Sequence, residues 1–402
     1  MRSSNRGSSK DQARSLRLKI ALICVVAGSL VLNGCSSSGI FRRNTVVPKT
    51  LRDVPVERLA FTFAPDVATP PPGPPVDLGT PVNAEIQAEF DRARAGDALL
   101  RTFTSPDKQR VVVAYATSAM PEGEFGLDLY ASNGSKLHEI TPEGLSGAFT
   151  TALSWSPDGN YIAFIGRRAA PPPVNPLIPG AEELGPLPPG ITPTPLPPLP
   201  PTVATYPTEQ LYFCTRDGTD LKPLTRRPGL IYFNFAWSPD SHSLAAMACL
   251  ESEWNAREAE GLGQVPSGRP RIININGTER LLDDKSTDVM PVWCPDSSKI
   301  ATAFEYDIKL YDAVGDKPGQ AIIGARDLLL TSSRAFDAKK NPGADTTGDP
   351  VSFYPVATLL WPDPKTLFVR TGYVPKSDAD RPVNVFSRWH LMQLSPQAAM
   401  LK

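Results

Sequence analysis

The stretch Ala152-Leu153-Ser154-Trp155-Ser156-Pro157-Asp158-Gly159-Asn160-Tyr161-Ile162-Ala163-Phe164-Ile165 decides the fold. Pro157, second of four turn residues, supplies the backbone angle of a type I turn, and Gly159 closes it. The apolar runs on either side have strand length and are too short for a stable helix. The passage reads as strand, tight turn, strand. Its skeleton recurs at Ser105-Pro106-Asp107, Trp237-Ser238-Pro239-Asp240, Trp293-Cys294-Pro295-Asp296 and Leu360-Trp361-Pro362-Asp363. Four residues after each Asp stands a large aliphatic residue: Val111, Ile162, Leu244, Ile300 and Leu367.

The steps from Asp to Asp are 51, 82, 56 and 67 residues, the length of a repeat with loops inserted between its strands. Asn133-Gly134, Asp217-Gly218 and Asn276-Gly277 mark the hairpin corner of a second strand pair, because these dipeptides tolerate positive φ. Each repeat is then four short antiparallel strands, and since none can bury both faces alone, the repeats must stack around an axis. The prediction is an all-β chain: a β-propeller of five or six four-stranded blades over residues 97–402. Trp155, Trp237 and Trp293 are expected to pack between blades, while Asp107, Asp158, Asp240, Asp296 and Asp363 form turns. Thr104 and Leu360 fill the Trp position at the two ends. The Trp-Ser-Pro-Asp-Gly unit with its following aliphatic strand resembles the repeat of the TolB-type β-propeller family, over roughly residues 97–402. That resemblance implies partners among envelope proteins, including those near peptidoglycan. TolB also carries a separate amino-terminal domain, for which this chain is expected to have no room.

At the amino end, residues 1–19 hold six basic residues and one acid, and Ile20 to Val31 is almost wholly apolar, the pattern of a signal-peptide core. The segment ends Leu32-Asn33-Gly34-Cys35, which resembles the bacterial lipobox. Residues 1–34 are therefore expected to be a lipoprotein signal peptide, and Cys35 the acylated first residue of the mature chain. Two or three acyl chains suffice for stable anchoring. The expected location is extracytoplasmic and membrane-tethered: the outer membrane in a diderm, since Ser36 and not Asp follows the Cys, or the outer face of the only membrane in a monoderm. Residues 35–96 read as a tether with a Pro-rich run at residues 70–75 and one short amphipathic helix, Ala84 to Ala95, with Ile86 and Phe90 on one face. Glu57 to Asp66 reads as a strand, and pairing with the carboxy-terminal strands would make six blades possible.

Without residues 1–34 the net charge moves from −1 to −6, which argues against nucleic acid as a partner. Cys214, Cys249 and Cys294 fall in three different repeats and read as small buried apolar residues, with a chance disulfide left open. His138, His242 and His390 are far apart, so no metal site is expected, and no cofactor. There is no Gly-x-Ser-x-Gly elbow, and no hydrolase domain is expected after Lys402. The chain is expected not to be an enzyme.

The largest insertion, about residues 169–205, holds 14 Pro between residues 171 and 201 and will populate polyproline II, either as a spacer or as a ligand for aromatic grooves. Further insertions at residues 251–268 and 372–382 follow the second strand of their repeats. That at residues 331–354 precedes the first strand of the next, and in a propeller both junctions emerge on one face. Function is expected there. The first reading is a membrane-anchored, non-enzymatic scaffold that binds a protein of the bacterial cell envelope. The alternative is a carbohydrate or cell-wall polymer binder, or a weak hydrolase at the channel mouth, using Glu251, Glu253 and Glu258 near Trp254. Converging carboxylates and aromatics in a deep pocket would favour the alternative, and a broad shallow face the first.

Overall fold

A computed structural model describes residues 56–57, 59–70, 84–169, 203–260, 266–314, 319–340, 342–343, 356–373 and 386–395. The chain divides into residues 1–47, all outside the described ones, and Pro48–Lys402. The signal segment, Cys35, the Pro-rich run after Pro70, the Pro-rich insertion from residue 170 to 202 and the insertion after Tyr373 also lie outside them. Among the described residues the chain is mostly β, in multiple antiparallel sheets with three helices. None of those helices is long and apolar enough to cross a membrane.

Strands β1 (Val56–Glu57) and β2 (Phe61–Val67) and helix α1 (Ala84–Ala93) come first. Unit one is β3 (Ala98–Thr104), β4 (Arg110–Ala116), β5 (Glu124–Ala131) and β6 (Lys136–Glu139). A short strand, β7 (Leu145–Ala148), leads to unit two: β8 (Leu153–Trp155), β9 (Tyr161–Arg168), β10 (Gln210–Thr215) and β11 (Lys222–Pro223). Unit three is β12 (Leu230–Trp237), β13 (Ser243–Leu250), β14 (Arg269–Asn274) and β15 (Glu279–Leu281), with helix α2 (Glu251–Ala259) between its second and third strands. Unit four is β16 (Val292–Trp293), β17 (Lys299–Phe304), β18 (Asp307–Asp312) and β19 (Gln320–Gly324). After helix α3 (Arg326–Lys340), unit five has β20 (Val356–Asp363), β21 (Thr366–Tyr373) and β22 (Phe386–Leu394). Its fourth strand is β2, antiparallel to β22, while β1 lies parallel to β19 on the edge of unit four.

Alternation along the strands builds the cores between units. Ile162 and Phe164 face unit one and pack with Phe103, Val112, Leu127 and Trp155, whereas Ala163 and Ile165 face unit three with Tyr232, Leu244 and Ala246. Strands buried on both faces explain why the sequence reads as continuous apolar runs. The aliphatic residues at Asp plus four are all buried. Each motif Trp leans back on the preceding unit. Trp155 Nε1 donates to Phe103 O at 3.0 Å, and Trp293 Nε1 to Ala236 O at 3.1 Å. Trp237 stacks instead on Tyr161, with centroids 6.4 Å apart, and its buried N–H has no partner.

The turns repeat one hydrogen-bond pattern. Asp158 accepts from Ser156 Oγ at 2.6 Å and from Asn160 N at 3.1 Å, and the same set recurs at Ser105/Asp107 and Ser238/Asp240. The residue after each of these Asp, and after Asp296, is left-handed, which Gly159 accepts freely and Lys108, Ser241 and Ser297 do not. Their hydroxyls explain two of the exceptions. Ser241 Oγ accepts the N–H of Asp158 at 3.0 Å, and Ser297 Oγ that of Asp240 at 3.0 Å, so neighbouring turns are joined.

Unit five departs from the expected register. Leu360 is only half-buried, and Trp361, one residue later, takes the buried place against unit four. A bulge between Leu360 and Asp363 turns the strand by the odd residue that makes this swap possible. The predicted helix is α1, with Ile86 and Phe90 fully buried against Val111, Val113, Tyr115 and Tyr130. Just beyond it, Arg94 grips Asp128 with two hydrogen bonds of 2.6 and 3.0 Å and lies 3.8 Å over the Tyr115 ring.

Of the stretch Glu57–Asp66, read as a strand, Glu57 lies in β1 on β19, while the part from Phe61 on meets the carboxy-terminal strands as the outer strand of unit five. Arg388 on β22 holds it there. Its guanidinium pairs with both Asp66 oxygens at 2.7 and 2.9 Å, donates to Ser333 Oγ at 3.0 Å and Ser332 O at 3.1 Å, and lies 4.6 Å from the Phe336 ring. One buried cation thus joins β22, β2 and α3. Two residues on, buried His390 stacks on Phe63, accepts the Asp66 N–H at Nδ1 and so donates from Nε2 to Thr371 Oγ1 at 2.9 Å.

Candidate functional site

A cleft of about 440 Å³ lies where α2, the turn after β7 and the residues leading into β10 meet. Its floor is strand-borne. Glu124 opens β5, Ser146 lies on β7, Arg167 is near the end of β9, and Glu209 immediately precedes β10. The short strand β7 pairs with β5 on one side and β9 on the other, which fuses units one and two into one sheet under the cleft. Gly147 makes this junction possible, since a Cβ there would fall 2.2 Å from the Phe125 ring. Gly147→Ala is expected to cost about 1–3 kcal/mol through overpacking and to disturb the floor. Urea denaturation checks it: an unchanged midpoint would contradict the tight junction.

The floor groups are tied to one another. Ser146 Oγ donates to Glu124 Oε2 at 2.6 Å, and Arg167 donates to Glu124 Oε1 at 2.6 and 2.9 Å and to Glu209 Oε1 at 3.1 Å. Burial disfavours the Arg167 cation, but the bonds and charges of the two glutamates outweigh it and raise its pKa above the ordinary value. Strand-borne groups locked by mutual hydrogen bonds form a preorganised platform.

The wall comes from α2. Glu251, Trp254, Asn255 and Glu258 follow helical spacing and line the cleft together. Trp254 Nε1 donates to Glu258 Oε1 at 2.7 Å, and the indole meets the rings of Phe149 and Phe233 at 5.5 and 5.9 Å. Of the three acids singled out in the sequence, Glu251 and Glu258 stand at the cleft, whereas Glu253 turns away from it. Glu253 accepts the Leu250 N–H at 2.9 Å and pairs with Arg269 through two bonds of 2.8 Å. The Arg269 bonds lead in pulling its carboxyl down to about 2. It fixes the helix start.

The motif residues lie elsewhere. Asp240 and Trp293 line a second cavity, of about 570 Å³, on the opposite face between units three and four. Asp107, Asp158 and Asp296 accept hydrogen bonds within their own turns, as Asp363 does from Lys365 N at 2.9 Å. Cys214, Cys249 and Cys294 are free and buried, and burial leads in pushing their thiols up to about 12, 11 and 12. His138 and His242 are exposed and His390 is buried. No group of three metal-binding side chains occurs among the described residues.

No family model and no curated protein matches the chain. Solved structures do. TolB from Acinetobacter baumannii is 14% identical, with 75% of this chain and 55% of that one covered and a TM-score of 0.30. The Dos1 propeller is 10% identical, with 73% and 53% covered and a TM-score of 0.36. Prolyl oligopeptidase B from Galerina marginata is 10% identical, with 77% and 36% covered and a TM-score of 0.37. The chain spans about half the length of the first two and about a third of the last. Likenesses this distant assign no function.

Proposed function

We propose that the chain is a five-bladed propeller, with β2 as the outer strand of its last blade, that serves as a non-enzymatic interaction scaffold in a bacterial cell envelope, anchored by acylated Cys35. Its partner is an envelope protein, and the cleft between units one, two and three is where that partner docks. The observation that carries this reading is the way the cleft spends its charged groups. Arg167 bridges Glu124 and Glu209, and Ser146 takes the remaining oxygen of Glu124, so the floor is a fixed recognition surface. General acid–base chemistry needs a group within reach of a substrate proton and at liberty to exchange it. Glu124 has no such liberty.

The carbohydrate or cell-wall polymer reading stands second, favoured by the half-buried Trp254 beside exposed carboxylates in a cleft of small-ligand size. Charge sets the order. Five glutamates against one arginine line the cleft, which disfavours acidic polymers and exceeds what a neutral sugar requires.

Crosslinking from residues around the cleft in intact cells, with the captured species identified, tests the proposal. Capture of one envelope protein, lost when α2 is replaced by a short Gly/Ser loop, is expected. Capture of glycan alone would transfer the reading to the alternative. Cys35→Ala is expected to release the chain from membranes or leave it unprocessed, and unchanged detergent partitioning and processing would overturn the anchor.

A further inference from the structure

The charge of the cleft specifies its occupant more narrowly than a scaffold role does. Glu209 is only 8% exposed, lines the cleft, and gives one oxygen to Arg167. Its other oxygen, Oε2, meets no donor among the described residues. Arg167 is already committed to Glu124 by two shorter bonds, so one guanidinium serves two buried carboxylates. A largely buried carboxylate with one oxygen held by a guanidinium and the other open to a cleft is a ready acceptor for an incoming cation. Above the floor, exposed Glu251 and Glu258 on α2 and Glu122 at the opposite lip add negative charge, and Arg167, the one basic lining residue, is already bonded to Glu124 and Glu209. Trp254 and Phe149 supply an aromatic wall between the rim carboxylates and the buried floor. A cation on an aliphatic stem matches that order: the stem along the rings, the charged head among carboxylates.

We infer that the cleft receives a lysine or arginine side chain of a partner protein, with its charged head against Glu209 Oε2 and its stem along Trp254. This rests on the scaffold reading. Three separate features converge on the choice: the unbonded Oε2 of a largely buried, cleft-lining Glu209, a net excess of four negative charges around one cavity, and an aromatic wall. A small free amine shares the chemistry of the head group, so the test separates the two sources.

Calorimetric titration of the full chain uses the peptides acetyl-Gly-Lys-Gly-amide and acetyl-Gly-Arg-Gly-amide, the Nε-acetylated lysine peptide, and 1,5-diaminopentane. The lysine or arginine peptide is expected to bind, acetylation to abolish binding, and Glu209→Gln to weaken it about tenfold or more, as loss of one partner of a buried charge pair does. Because Glu209 is buried, exposed Glu251→Gln and Glu258→Gln form a second arm. Together they are expected to weaken binding about threefold and to flatten its salt dependence. Asp240→Asn, on the opposite face, is expected to change nothing. Equal binding of the acetylated peptide, or unchanged affinity in both glutamate arms, overturns the inference. Binding of 1,5-diaminopentane without either peptide overturns the assignment to a protein side chain. Failure of the scaffold reading looks different: the peptide binds, yet cells yield no protein crosslink. Conversely, an envelope protein whose capture survives Glu209→Gln and Glu258→Gln would leave the scaffold standing and remove the cationic anchor.

Discussion

Arg388→Ala is expected to cost about 2–4 kcal/mol of stability, because it removes a buried guanidinium with its packing on Phe336 and leaves the hydroxyls of Ser332 and Ser333 without their donor. The site is tightly partnered: Arg388 is 6% exposed and ties its own strand to two other elements, β2 and α3. Asp66 sits at the surface end of the pair, with its side chain 41% exposed, so Asp66→Asn is expected to cost only about 1 kcal/mol. The asymmetry is the test. Urea denaturation of both variants should show a large drop for Arg388→Ala and a small one for Asp66→Asn, and equal small drops would show that the triple junction is not held by this cation. Protease cutting near residues 59–70 should rise first, since β2 loses its strongest side-chain tie.

Acid should loosen the same junction. Burial is the leading cause that lowers the His390 pKa to about 4, with the nearby Arg388 cation adding to it and Asp66 opposing. The groups facing the ring are Asp66 on β2, Arg388 on its own strand and Thr371 on β21, with Phe63 stacked on it. A base with a lowered folded-state pKa binds its proton more readily when unfolded, so its stabilising contribution is complete above pH 6.5. It is lost as pH falls towards 4, about 3 kcal/mol in all. The structural reason is that Nδ1 accepts the Asp66 N–H and cannot also hold a proton. Urea midpoints for the wild type and His390→Gln, at pH 7.5 and pH 4.5, check this. The wild type should lose more stability between the two values, and parallel losses would mean that His390 does not titrate in this window.

The repeated turns and strands were legible because their signals are local. Pro, Asp and the aliphatic residue four positions on lie within one hairpin, and α1 announces itself through Ile86 and Phe90. The bulge that exchanges Leu360 and Trp361 was hidden, because a tryptophan one position late looks like a decayed repeat and is in fact a re-aimed one. The cleft was half legible. Glu251, Trp254 and Glu258 stand together in sequence, and their spacing is that of a helix face. Arg167 and Glu209 meet across the β9–β10 ladder, but Glu124 comes from another unit, and the unexpected pairing of β7 with both β5 and β9 brings it to them. The available signal was weak but physical: each is a charged residue at the end of an otherwise apolar strand. Glu253 misled because proximity to Trp254 in sequence says nothing about which side of a helix a carboxylate takes.

The way β1 and β2 are stitched has a mechanical consequence. A pull applied to the chain on the amino-terminal side of Val56 meets the two-residue parallel ladder on β19 first, then the longer antiparallel ladder on β22. Load drawn along those strands strains several backbone hydrogen bonds at once, whereas a perpendicular load would peel them one by one. The Arg388–Asp66 pair stands near the far end of β2, beyond the residues that would yield first. Tension would therefore shed β1 as a weak fuse and leave β2 clamped, before the last sheet opens.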